Sequence, residues 1–237
     1  ADAMKFVFDL ETVPDMDLLR LCVEGPSEDP ALFMEQAVEQ LSRNKTGFFP
    51  PMFHRVVAWV GLWVEESGHP KNKVSWSGTD EREGLVKLAE ALLTYRDFGL
   101  VHHNGKGFDL PVITYRSMKH GLQLPKRLSS QDIRYRYSKE NVDLVDEFTN
   151  YGASQWPKLK HLGHLLGIPV KQTGEGDAVD VMFREGRLEA IERYCYEDVM
   201  GTYLIWLHMR FTNGDMDAET FANLSERALA KLREIQG

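Results

Sequence analysis

Cysteine is scarce in this chain: Cys22 and Cys195 are the only two among 237 residues. Two thiols cannot build a disulfide framework and fit a reducing compartment, so the expected location is cytoplasmic. No Cys/His spacing suits a zinc site. No run of about 18 apolar residues occurs, which excludes a transmembrane helix and any membrane partner of that kind. The apolar start Met4-Lys5-Phe6-Val7-Phe8 meets Asp9 too soon to be a signal peptide, and Ala1-Asp2-Ala3 reads as a cloning remnant. A phosphate loop is missing too, because Gly105-Lys106-Gly107 lacks the G-x-x-x-x-G-K-[ST] spacing. Finally, there is no surplus of positive charge: the net charge is −8, whereas nucleic-acid binding draws on a basic surface. The charge is unevenly spread, however. Arg116, Lys119, Lys126, Arg127, Arg134, Arg136 and Lys139 face a single acid, Asp132, and Lys158, Lys160 and Lys171 face none nearby. The balance permits a nucleic-acid partner without pointing to one.

What is present reads as one α/β domain over residues 4–237, a central mixed sheet flanked by helices. Alternating apolar residues predict a strand from Lys5 that ends at Asp9-Leu10-Glu11. Residues 14–53 form a helical insertion with one amphipathic helix, 31–43, closed by Pro50-Pro51. A buried strand follows over 55–65, paired antiparallel with 73–77. Thr79 is the expected cap of a helix reaching Arg96, with Leu85, Leu88, Leu92 and Leu93 at helical spacing. Phe98–His102 reads as a short strand and 108–120 as a helix. The remainder is expected to be helical over 142–150, 159–166, 178–184, 188–211 and 217–235, punctuated by glycines that include Gly174 and Gly176.

Three segments carry acids where a rigid element would deliver them. Asp9 and Glu11 are two apart, on one face of a strand. Asp109 opens a helix after the turn His103-Asn104-Gly105-Lys106-Gly107-Phe108. Tyr194 and Asp198 are four apart on a long helix and share a face. Taken alone, each has a plain structural reading: two solvated acids at a strand end, a helix cap, and a core tyrosine bonded to an aspartate.

Together, and in this order, Asp9-Leu10-Glu11-Thr12, Asn104 to Asp109 and Tyr194-Cys195-Tyr196-Glu197-Asp198 resemble the three exonuclease motifs of the DEDD superfamily, in its tyrosine-bearing DEDDy branch. The match is closer to one bacterial family, the predicted 3′→5′ exonucleases related to the proofreading domain of family-B DNA polymerases. It includes Asp9-Leu10-Glu11-Thr12-Val13-Pro14-Asp15, His54-Arg55-Val56-Val57-Ala58 and Phe108-Asp109-Leu110-Pro111, and spans about Met4 to Arg210. One departure stands out: Val170 precedes Lys171 where the family pattern has glycine.

The resemblance implies a ribonuclease-H-like fold and metal-dependent hydrolysis from the 3′ end of single-stranded DNA by a two-metal-ion route. Nucleoside 5′-monophosphates would be released. It implies that Asp9, Glu11 and Asp198 hold one Mg²⁺ or Mn²⁺ ion and that Asp109, with Asp9 bridging, holds a second. Tyr194 would orient the attacking water. Leu10, Thr12, His103, Asn104 and Phe108 would line the terminal nucleotide's site. Phe48, Phe49 and Trp156 are candidates for stacking on bases, although each reads first as core, and His54, His102 and His103 read as structural, His103 being near enough to Asp109 to contact substrate. A replication or repair protein is an expected partner, with proofreading or repair as the role. Two alternatives stay open. A ribonuclease D-like RNA exonuclease uses the same Tyr-x-x-x-Asp ending, although only about 25 residues follow Phe211, too few for a helical RNA-binding domain. A non-catalytic nucleic-acid-binding module would be expected to have lost one or more of the acids.

Overall fold

The computed structural model describes residues 4–170 and 177–237. Lys171, Gly174, Gly176 and the expected cloning remnant lie outside the described residues. Among the described residues the sheet has five strands in the order β3-β2-β1-β4-β5. Strand β1, Met4–Pro14, lies at its centre, antiparallel to β2, His54–Glu65, and parallel to β4, Phe98–His102. β1 runs longer than its alternation suggests because it has neighbours on both edges and apolar layers on both faces. The expected hairpin forms: β3, Pro70–Ser77, pairs with β2, placing Lys73 opposite Leu62. Gly61 on β2 sits opposite Phe8, and a Cβ there would stand 1.9 Å from the Phe6 ring, so only glycine admits that ring.

Segment 14–53 contains two helices where one was expected. α1, Met16–Cys22, is capped by Asp15, and α2, Pro30–Leu41, by Asp29 with Pro30 in its first turn. Two turns give too little periodicity for α1 to show in sequence. Leu19, Val23, Phe33, Ala37, Phe49 and Phe53 make a small core of their own there. The next helix, α3, Glu81–Leu92, is capped by Asp80, not Thr79; the Asp80 carboxylate accepts from the Glu83 amide at 3.1 Å. It stops four residues short of Arg96, as Leu93 already points to solvent.

Helix α4, Asp109–Lys119, follows β4, and the four-residue α5, Gln131–Arg134, leads toward β5. β5, Asn141–Asp143, corrects the expectation of a helix beginning at Val142. These three residues pair in parallel with Leu100–His102, and Asp143 then caps α6, Leu144–Thr149. α7, Leu159–Leu166, α8, Asp177–Arg184, α9, Leu188–Thr212, and α10, Ala218–Gln236, fall close to their predicted bounds. None of the described helices is long and apolar enough to cross a membrane.

The period of two along β1 divides the core. Phe6, Phe8 and Leu10 pack with Leu85, Leu88, Val112 and Ile113 of α3 and α4. Val7 and Val13 face the other way, toward the layer that contains α8 and α9. Asp9 and Glu11 share that second face by parity.

A buried ion network ties the α1–α2 segment to this frame. Arg116 of α4 donates to Asp15 at 2.7 Å and to both oxygens of Glu81. Glu81 also accepts from the Val56 amide at 2.6 Å and pairs with His120 at 2.7 Å, while Lys119 reaches Asp15 at 2.9 Å. Removing one partner strands a buried charge. Arg116→Ala should therefore cost about 3–5 kcal/mol, read as a lower urea midpoint; an unchanged midpoint would show the network to be energetically idle.

Candidate active site

Three elements converge on one spot. β1 brings Asp9 and Glu11 to its α9 face, the first turn of α4 brings Asp109, and α9 brings Tyr194 and Asp198 from one side of its cylinder. Asp109 crosses to β1 directly, its Oδ1 accepting from the Leu10 amide at 3.1 Å. The Cys195 thiol donates to the Asp9 carbonyl at 3.3 Å and seats α9 against β1. The Asp9 and Glu11 carboxylates and the Cys195 sulfur lie within 4.8 Å of one another.

The electrostatics show what this crowding costs. Burial first, then the charges of Asp109, Glu11 and Asp198, push the Asp9 carboxyl well above the usual carboxylate range. Burial raises Asp109 to about 7 despite the amide hydrogen bonds that favour its charged form. Burial followed by Asp198, Glu11 and Asp9 drives the Tyr194 phenol far up, so it keeps its proton at neutral pH. Four carboxylates drawn into one desolvated spot repel unless a cation joins them. Their oxygens form a hard donor set of the kind that Mg²⁺ or Mn²⁺ takes. The sulfur is a poor candidate for a ligand: burial and then Asp9, Glu11 and Asp198 hold Cys195 as a thiol, and it is already spent on a carbonyl.

Around this centre, the Leu10 amide is taken by Asp109, and the Thr12 hydroxyl lies 2.9 Å from His54 Nδ1. His54 Nε2 faces the Phe49 carbonyl at 2.9 Å. A carbonyl only accepts, so Nε2 carries the proton and Thr12 donates to Nδ1. Burial lowers the His54 pKa and keeps the ring neutral, in line with a structural role. His102 is buried and also structural. His103 turns its Nε2 to the Pro157 carbonyl at 3.0 Å, which fastens its ring to the 156–158 loop. The Phe108, His54 and Phe48 rings form a three-way cluster, with centroids 4.8 Å apart for His54–Phe108, 5.6 Å for Phe48–Phe108 and 5.4 Å for Phe48–His54.

Of the three stacking candidates expected to be core, only Phe49 is. Phe48 is 54% exposed and Trp156 52%, and they flank opposite ends of the 103–108 loop through Phe108 and His103. The basic stretch also needs correction. Arg116 is buried in the ion network, Lys119 pairs with Asp15, and Arg127 pairs with Asp97 and Asp132. Three of the seven cations in that stretch are thus engaged by acids, and one of them, Arg116, is withdrawn from the surface altogether. Val170, the departure from glycine, fills a recess left by two other glycines: a Cβ on Gly163 or Gly201 would stand 2.1 or 3.1 Å from its methyls. Sequence reasoning missed Asp143, which holds the 104–106 loop through backbone amides. Its one local signal was an aspartate placed to cap α6.

Fold and site together define an acid cluster set on a ribonuclease-H-like sheet. The chain belongs to the family described as predicted 3′-5′ exonucleases related to the exonuclease domain of PolB, whose model matches residues 46–237. Among solved structures it is similar to the family B DNA polymerase of Pyrobaculum calidifontis, at 16% identity and a TM-score of 0.59, covering 89% of this chain and 25% of the polymerase. It is also similar to product-bound exonuclease I, at 12% identity and a TM-score of 0.48, over 94% of this chain and 46% of that one. The zinc-bound E. coli exonuclease I–single-stranded DNA complex aligns at 12% identity and a TM-score of 0.45, over 86% and 39%. The chain thus spans a quarter of the polymerase and under half of exonuclease I. A comparison with curated proteins gave no match.

Proposed function

We propose that residues 4–237 form a single DEDDy-type exonuclease domain, with 14–53 as an insertion, that removes nucleotides from the 3′ end of single-stranded DNA. The observation that carries this reading is the convergence of Asp9, Glu11, Asp109 and Asp198 with Tyr194. In this reading Asp9, Glu11 and Asp198 would hold one divalent ion, and Asp109 together with Asp9 would hold a second. Divalent ions held there would supply an acidified water and charge neutralisation at the leaving 3′ oxygen, consistent with release of a nucleoside 5′-monophosphate.

The protein's own groups set the geometry. The Leu10–Asp109 bond locks β1 to the start of α4, and the Cys195–Asp9 bond locks it to α9, so the acids are placed before substrate arrives. Tyr194 retains its phenolic proton, and its oxygen orients the attacking water without taking a proton from it. Asn104 and Phe108 meet the terminal nucleotide, while Phe48 and Trp156 offer exposed ring faces to unpaired bases, a sequence-tolerant contact that a duplex cannot make. A replication or repair protein is a fitting partner for such a domain.

If Tyr194 only orients water, Tyr194→Phe should lose one hydrogen bond of the transition state, slowing turnover about 10- to 100-fold with an unchanged pH–rate shape. Unaltered turnover would reduce Tyr194 to a core residue. The substrate assignment is tested with linear and circular single-stranded DNA and a matched RNA. Linear DNA should shorten stepwise and circular DNA should persist. Circles cut as fast as linear strands would show an endonuclease, and a tenfold preference for RNA would favour a ribonuclease D-like enzyme.

A further inference from the structure

The loop between β4 and α4 must present Asn104 and Phe108 and deliver Asp109, yet two of its six residues are glycines. Three successive amides in it are held by side chains, two by Asp143 of β5 and one by His102 at the end of β4. The Asn104 amide donates to Asp143 Oδ1 at 2.7 Å, and the Lys106 amide to Asp143 Oδ2 at 3.1 Å. Between them, the Gly105 amide donates to His102 Nδ1 at 2.9 Å. That bond makes Nδ1 the acceptor, so His102 Nε2 carries the proton and donates to Asn141 Oδ1 at 2.7 Å. Asn141 in turn donates to the Ile133 carbonyl at 2.8 Å. Two residues of the three-residue strand β5 thus hold the loop, and both are 3% exposed. The Asn104 and Lys106 amides thus meet on one carboxylate, the kind of amide concavity that otherwise receives an anion.

The conformation so imposed is specific. Asn104 has φ +63°, a left-handed value that asparagine tolerates better than most residues. Its side chain lies over Gly107, where a Cβ would approach Oδ1 to 2.7 Å, and a Cβ on Gly105 would meet the His102 ring at 2.5 Å. Asp109 has its own anchor in the Leu10 amide. Loss of the Asp143 bonds therefore releases Asn104 more than Asp109.

We infer that Asp143 is a positioning residue, clamping the loop so that Asn104 meets the terminal nucleotide of the substrate; this rests on the exonuclease reading above. Two substitutions separate the clamp from the α6 cap. Asp143→Asn turns one acceptor into a donor facing an amide. Asp143→Ser keeps an acceptor for the Val145 amide, which Asp143 now caps at 3.1 Å, and deletes the loop bonds. Each should raise KM for single-stranded DNA about tenfold while leaving kcat within about threefold. The metal concentration for half activation should not change. Because Asp143 acts through Asn104, adding either substitution to Asn104→Ala should make that enzyme no worse. Hydrogen exchange should show the Asn104 and Lys106 amides deprotected and those of α4 intact.

An unchanged KM in a folded variant, additive losses in the double variant, or a fall in kcat with a higher metal requirement would overturn the inference. If the wild-type protein digests no single strand with any metal, the exonuclease reading fails instead. The exchange experiment still decides whether the clamp exists. If Asp143→Asn does not fold, Asp143→Ser carries the test.

Discussion

Replacing Asp9 by asparagine should abolish hydrolysis and, in the metal-free protein, raise the thermal midpoint. Asp9 is the acid on which the other three press, its carboxyl driven up by burial and by Asp109, Glu11 and Asp198. Asparagine keeps the shape and an acceptor oxygen and removes the repelled charge. Charge neutralisation by a bound cation is worth several kcal/mol of barrier, so the loss in rate should be about a thousandfold or more. Relief of about 1–2 kcal/mol of repulsion would lift the midpoint by several degrees in a chain of this size. Activity and stability should move in opposite directions. A variant that loses both would make Asp9 a structural residue, and one that retains turnover would remove the acid cluster from the chemistry.

The same repulsion predicts an unusual response to pH and metal. Asp109 titrates near 7 in the fold, against an ordinary aspartate value near 3.8, and Asp9 is shifted the same way. For a carboxyl whose folded pKa is raised, the stabilising contribution is complete below about 3.8 and is lost as pH climbs through about 7. Asp15 acts oppositely: burial would raise it, but hydrogen bonds from Lys119 and Arg116 outweigh that and bring it to about 2. Its contribution is present above about 3.8 and disappears as pH falls through about 2. The metal-free protein should therefore be most stable in mildly acid solution and weaken toward pH 8. Millimolar Mn²⁺ should restore the midpoint at pH 8 and have little effect at pH 5, where the protonated acids no longer attract a cation. Thermal melts at both pH values, with and without Mn²⁺, check this. Equal stabilisation at both would place the ion elsewhere, and Asp9→Asn should blunt the effect at pH 8.

Where the sequence was legible, a short period carried the information. A spacing of two puts Asp9 and Glu11 on one face of β1, and a spacing of four puts Tyr194 and Asp198 on one side of α9. What escaped was carried by long-range bonds. Arg116 read as part of a basic surface because its partners, Asp15 and Glu81, lie 101 and 35 residues away. β5 was absorbed into a helix because three residues show no alternation, and its aspartate serves amides 39 and 37 residues upstream. Phe48 and Trp156 read as core from their residue type, yet the chain places both at the surface beside the loop that carries Asn104. α1 hid for the same reason as β5: it is too short for periodicity to register.

In the proposed function, the carboxylate cluster, once charged with divalent ions, hydrolyses the terminal phosphodiester of a 3′ end. Its most direct test is a 5′-labelled single-stranded oligonucleotide incubated with the purified protein in Mg²⁺, in Mn²⁺ and in excess chelator. The expected result is a ladder of products shortening one nucleotide at a time with either metal, 5′-mononucleotides in solution, and an intact strand in chelator. Undiminished shortening in chelator, or an intact strand under every metal condition, would contradict it.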